Sequence, residues 1–122
     1  MSDDDARALS ADLLLIKFEV GIETCADLGA RNMQALYGAY RSLQNLRAEL
    51  APVAEGKSIN QAKVSYKQGL SALPKPDLTK EDHIEVLCDR TLEKMVGISP
   101  GSFTRMVNSS ARTYQQMFAQ AK

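Results

Sequence analysis

One histidine, two cysteines and a few closely spaced carboxylates are the residues of this 122-residue sequence whose types could do chemistry. A cysteine nucleophile needs a base within hydrogen-bond reach, so a Cys/His pair would have to join His83 to Cys88 or to Cys25. His83 and Cys88 stand five residues apart, a spacing that on one helix turns the side chains about 140° away from each other. His83 with Cys25 requires a tertiary contact that nothing in the sequence specifies. Beside Glu81 and Asp82 in a first helical turn, His83 reads as a solvated residue. One histidine and two distant cysteines fit neither zinc-ligand spacing nor the paired Glu-x-x-His of di-iron bundles. Glu19 and Glu23 lie one turn apart, as on the wet face of an amphipathic helix. Residues 96–101, VGISPG, lack the lysine and spacing of a phosphate-binding loop. The chain therefore reads as non-enzymatic, with no catalytic residue, cofactor, metal ligand or small-molecule substrate expected.

The element that must position everything else runs from Leu13 to Leu50. It contains no proline, and its apolar residues recur every three or four positions. Leu15, Ile22, Ala26, Met33, Leu36, Tyr40, Leu43 and Leu50 form one seam, widened by Phe18, Cys25, Tyr37 and Leu46. Such a stripe needs a partner to cover it. Gly29 is the one place where the helix could break, yet the seam keeps its phase from Ala26 to Met33. One long helix ending before Pro52 is the favoured reading, with two helices split near Gly29 as the alternative. The small residues from Ala26 to Ala39 would let another helix approach closely.

Upstream, Ser2 and three aspartates resemble a helix start, with a capping hydroxyl and acids that complement the dipole. Downstream, residues 51–57 read as a loop, and Ser58 with Gln61 as a capping box. Ile59, Ala62, Tyr66, Leu70 and Leu73 share one face of the next helix. Pro74 and Pro76 make a stiff connector. Thr79 is the expected cap of a helix burying Ile84, Leu87, Cys88, Leu92, Met95 and Val96, which Gly97 stops. Ser99 and Pro100 restart a helix with Phe103, Met106, Val107, Tyr114, Met117 and Phe118 on its apolar side. No alternating strand pattern occurs. The fold class is all-α: a single domain, 1–122, of four or five helices built on a long N-terminal amphipathic helix (1–51), with shorter helices over 58–122.

Composition suits a soluble globular domain, with 44% hydrophobic and 25% charged residues. Fifteen basic and fifteen acidic side chains cancel, which argues against a polybasic nucleic-acid coat or an anionic-membrane binder. The excess of charge in the second half is small and positive. Cys25 and Cys88 both sit in apolar helical patterns and form no CxxC pair, so they read as buried free thiols in a reducing compartment. The acidic N-terminus is unlike a signal peptide, and no run approaches the roughly 20 apolar residues that span a bilayer. A cytoplasmic protein without membrane contact is expected.

Residues 92–107, LEKMVGISPGSFTRMV, resemble the helix-turn-helix of DNA-binding regulators. Val96, Gly97, Ile98 and the trio Ser99-Pro100-Gly101 take the turn positions, with Leu92, Phe103 and Met106 at the core ones. The resemblance implies that Ser99, Gly101, Ser102, Thr104 and Arg105 face DNA, with Lys94 and Arg112 near phosphates. Glu93 stands where that family has a small residue, and the same residues also suit an ordinary αα-hairpin. Residues 22–73 are similar, more loosely, to the helix pair of phasins, which implies granule-polymer or subunit contacts for Leu36, Tyr40, Leu43, Tyr66 and Leu70.

The leading expectation is a protein–protein assembly module that self-associates as a homo-oligomer or binds a protein partner. Its interface would use Met33, Leu36, Tyr37, Tyr40, Leu43 and Leu50 of the long helix. The alternative is a DNA-binding regulator using residues 99–105 and dimerising through the same helix.

Overall fold

The computed structural model describes residues 2–50, 57–74, 78 and 80–120, without the side chains of residues 57, 58 and 118–120. Five α-helices and no strand occur among them: α1 (Asp3–Leu28), α2 (Met33–Ala48), α3 (Lys57–Ser71), α4 (Glu81–Val96) and α5 (Pro100–Gln120). The all-α class expected from sequence is thus observed. Pro52, Pro76, Thr79 and the side chains of Ser58 and Phe118 lie outside the described residues. α3 already begins at Lys57, and the residue preceding α4 is Lys80, which makes no side-chain cap.

α1 starts as the sequence indicates. Ser2 is extended and its hydroxyl accepts from the Asp5 N–H at 3.1 Å, with Asp3, Asp4 and Asp5 in the first turn. The favoured continuous helix through residue 50 is corrected: α1 ends at Leu28. Gly29 takes φ +79°, its N–H donates to the Ala26 carbonyl, and the Ala30 N–H donates to that of Cys25. This pair of bonds is a Schellman closure, which needs a left-handed residue and so suits glycine. The chain then reverses. Arg47, near the end of α2, reaches Asp12 in α1 through Nε at 2.6 Å and Nη2 at 3.4 Å, so α1 and α2 form an antiparallel hairpin.

α1 is the hub, with α2, α3, α4 and α5 all packed against it. Ala8, Leu9, Ser10 and Ala11 are consecutive and all buried. At about 100° per residue these four face every direction around the axis, so α1 is enclosed here rather than amphipathic. The small side chains of Ala8, Ser10 and Ala11 let neighbours come close. Farther along, Leu15, Phe18, Ile22 and Cys25 join Leu36 and Leu43 of α2 and Ile84, Cys88 and Met95 of α4 in the main core. Ala11, Phe103 and Val107 form a second cluster near the N-terminal half. Val96, Met106 and Met117, expected on buried faces, are instead exposed.

Cys25 and Cys88 are joined in a disulfide, with Cα atoms 5.9 Å apart. The reading of two free thiols is therefore corrected. Both cysteines do lie in apolar helical patterns and both are buried. The missing element was spatial: α4 runs antiparallel to α1, bringing Cys88 over Cys25 and Thr91 beside Gly21. A row of α4 acids one turn apart pins the connector after α1. Glu81 pairs with Arg31, Glu85 accepts from the Arg31 N–H at 3.1 Å, and Asp89 accepts from the Asn32 side chain at 3.1 Å.

Candidate functional site

Three helices frame a cleft with a mixed polar and apolar lining. α1 supplies its floor through Ser10, Leu13, Leu14 and Lys17, α3 one wall through Tyr66, and α5 the other through Met106, Val107, Ser110 and Tyr114. The cleft holds about 230 Å³. The helical repeat explains the α5 wall, since Met106, Ser110 and Tyr114 follow at four-residue spacing. Ser10 is only 4% exposed. The Tyr114 phenol is held above its ordinary ionisation range, first by burial and then by the neighbouring Tyr66. Tyr114 therefore stays protonated and able to donate well past neutral pH.

The adjoining groove, of about 300 Å³, shares Lys17 and continues along α1 past Val20, Gly21 and Thr24 to the end of α3. The α1–α3 contact beside it is ionic. Lys67 reaches Glu19 at 2.8 Å and Glu23 at 3.7 Å, while Lys63 reaches Asp12 at 2.8 Å. Asp12 thus serves two cations, Arg47 and Lys63, from a partly buried position. Glu19 and Glu23, read as a wet face, are a docking strip for α3. Tyr40 borders this network; burial, then Glu19, Asp12 and Glu23, raise its phenol, against a lowering by Lys67.

The six residues expected at an assembly interface divide. Leu36 and Leu43 are wholly buried inside the chain, and Met33 and Tyr40 pack partly on the same core. Leu50 packs on the second cluster. Tyr37 alone turns outward, 52% exposed. The α1–α2 hairpin explains this, because two helices folded on each other cover one another's stripes. Leu36 and Leu43 therefore offer nothing to a second chain.

The residues of the helix-turn-helix resemblance are mostly at the surface, with Lys94, Ser99, Gly101, Thr104, Arg105 and Arg112 exposed and Ser102 half-buried. Several are already engaged. The Ser102 N–H donates to the Ser99 hydroxyl at 3.1 Å and the Ser99 N–H to the Ser102 hydroxyl at 2.9 Å, a capping box with serine in both roles. The Thr104 hydroxyl donates to the Pro100 carbonyl at 3.0 Å. Gly97 is in the right-handed helical region, φ −70°, rather than the left-handed one. α4 packs on α1 and α2, whereas α5 packs on the N-terminal half of α1. Leu92 and Phe103 accordingly enter different clusters, and Ile98 borders both.

His83 is exposed and, with both cysteines bridged, has no thiol to activate. No group of three or more metal-ligating side chains occurs among the described residues. No described helix is long and apolar enough to cross a membrane. No family model, characterised protein or solved structure matches the chain.

Proposed function

We propose that this chain is a non-catalytic helical module that works by protein–protein contact, with α3 as its docking element. The outward face of α3 carries the reading. Asn60, Gln61, Val64, Ser65, Gln68 and Gly69 are all exposed, and none is charged. In a chain with one residue in four charged, a charge-free helix face matches the depletion of charge that marks interface centres. Val64 is 54% exposed there, and no described side chain of α3 is fully buried. A partner lying on α3 would complete its burial. Light scattering coupled to size exclusion at micromolar concentration tests self-association: a dimer or larger species is expected, reduced to monomer by Val64→Glu. A wild-type monomer would remove the homo-oligomeric form of the reading.

A second reading, DNA or another polyanion bound at α5, has its own support. Pro100–Gln120 contains Arg105 and Arg112 but no acidic residue. Its test is binding to mixed genomic DNA at about 50 mM salt, weakened by Arg105→Ala and falling steeply with added salt. No binding at that salt would retire it.

A further inference from the structure

We propose that the cleft between α3 and α5 is a binding site for a small aromatic monocarboxylate. This goes beyond the docking role of α3, because Tyr66 faces the cleft while the proposed docking surface lies on that helix's outer face. Among the described residues, Lys17 is the only charged one lining the cleft, and no carboxylate lines it. Its ammonium makes no ion pair among the described residues. The nearest acids along the groove, Glu23 and Asp27, lie on the other side of Lys17, and Glu23 is within reach of Lys67. An anion is therefore complementary to the cleft itself, and a monoanion suffices for one cation.

The hydroxyls define the rest. Ser10, 4% exposed, opens on the cleft and offers a guest its hydroxyl. Ser110, Tyr66 and Tyr114 add hydroxyls around it. Leu13, Met106 and Val107 supply apolar surface, and the tyrosines supply two aromatic rings that a guest ring can meet edge-to-face. A volume of about 230 Å³ falls below the roughly 300–1,000 Å³ usual for drug-sized ligands, which restricts the guest to a single ring with a short acid arm. The carboxylate sits on the Lys17 ammonium and the cleft hydroxyls, and the ring between Tyr66 and Tyr114.

The probe is 3-phenylpropionate, with its neutral amide as the matched control, titrated into the full chain and followed by amide chemical shifts. Saturable binding below about 10 mM is expected, with shifts centred on Ser10–Lys17, Tyr66 and Met106–Tyr114. Lys17→Met, at an exposed position that leaves the fold intact, should weaken the acid by about tenfold or more and leave the amide unchanged. Ser10→Ala should weaken the acid without altering the thermal midpoint by more than a few degrees. Absence of saturable binding, equal affinity for acid and amide, or an unchanged affinity in Lys17→Met each overturns the proposal. None of these outcomes bears on the oligomeric state, so the docking role of α3 is tested separately.

Discussion

At the scale of single residues, the bridge between Cys25 and Cys88 has the largest consequence. It spans 63 positions, and closing a loop of that length removes about 4 kcal/mol of unfolded-chain entropy in the simple chain model. Reduction should therefore lower the denaturant midpoint substantially without changing the native helical signal. Thiol counting in denaturant should find no free thiol before reduction and two after. The sequence showed both cysteines to be buried, but pairing depends on α4 lying antiparallel on α1, which periodicity does not encode. The phenols of Tyr40 and Tyr114 offer a second test. Both are held above the ordinary value near 10, chiefly by burial. A raised folded value means that the unfolded phenol ionises first, which favours the unfolded chain from about pH 10 upward. Both states are protonated below about pH 10, so stability is intact there and is lost as pH rises through the folded values. Unfolding midpoints measured from neutral to strongly alkaline pH should fall only beyond that point, with phenolate absorbance lagging that of the denatured chain.

At the scale of elements, the break at Gly29 explains why the hairpin read as one helix. Ala26 and Met33 are seven residues apart, a spacing that preserves an apolar seam in a continuous helix. The Schellman closure and four-residue connector keep its larger residues inward too, because both helices of a hairpin point their apolar faces at the same core, with Ile22, Leu36 and Leu43 buried and Ala26 exposed. Only the glycine marks the difference. Gly29→Ala meets no steric obstacle, since no atom lies within 4 Å of an added Cβ, but φ +79° is costly for an L side chain. A loss of about 1 kcal/mol is expected in chemical denaturation. The start of α5 was legible for a different reason. Ser99 and Pro100 are local signals, and the hydroxyl does cap the helix. Ser99→Ala should cost about 1 kcal/mol. If DNA binding at α5 is real, this variant would also weaken it by fraying the helix start, whereas Arg105→Ala would weaken it at unchanged stability.

At the scale of the molecule, everything depends on α1 being surrounded. The sequence disclosed the stripe of its second half, Leu15, Phe18, Ile22 and Cys25, because large apolar residues at helical spacing stand out. It concealed the first half. Ala6, Ala8, Ser10 and Ala11 contribute little hydropathy contrast, yet all are buried. Small residues buried on every side of a helix are selected for close approach, not for apolar area, and no periodicity records that. The cleft was invisible for the same reason: Ser10 and Lys17 acquire meaning only when Tyr66 and Tyr114 are brought to either side. Enclosure makes a sharp prediction. Ala11 packs in one cluster with Phe103 and Val107, so Ala11→Leu adds three carbons where there is no room and should cost about 1–3 kcal/mol. Ala35→Leu places the same carbons on the exposed face of α2 and should stay within about 0.5 kcal/mol of wild type. Measured side by side in denaturant, the two substitutions separate an enclosed helix from an amphipathic one. Equal, small effects would mean that α5 does not close over the first half of α1, and the cleft between α3 and α5 would lose its far wall.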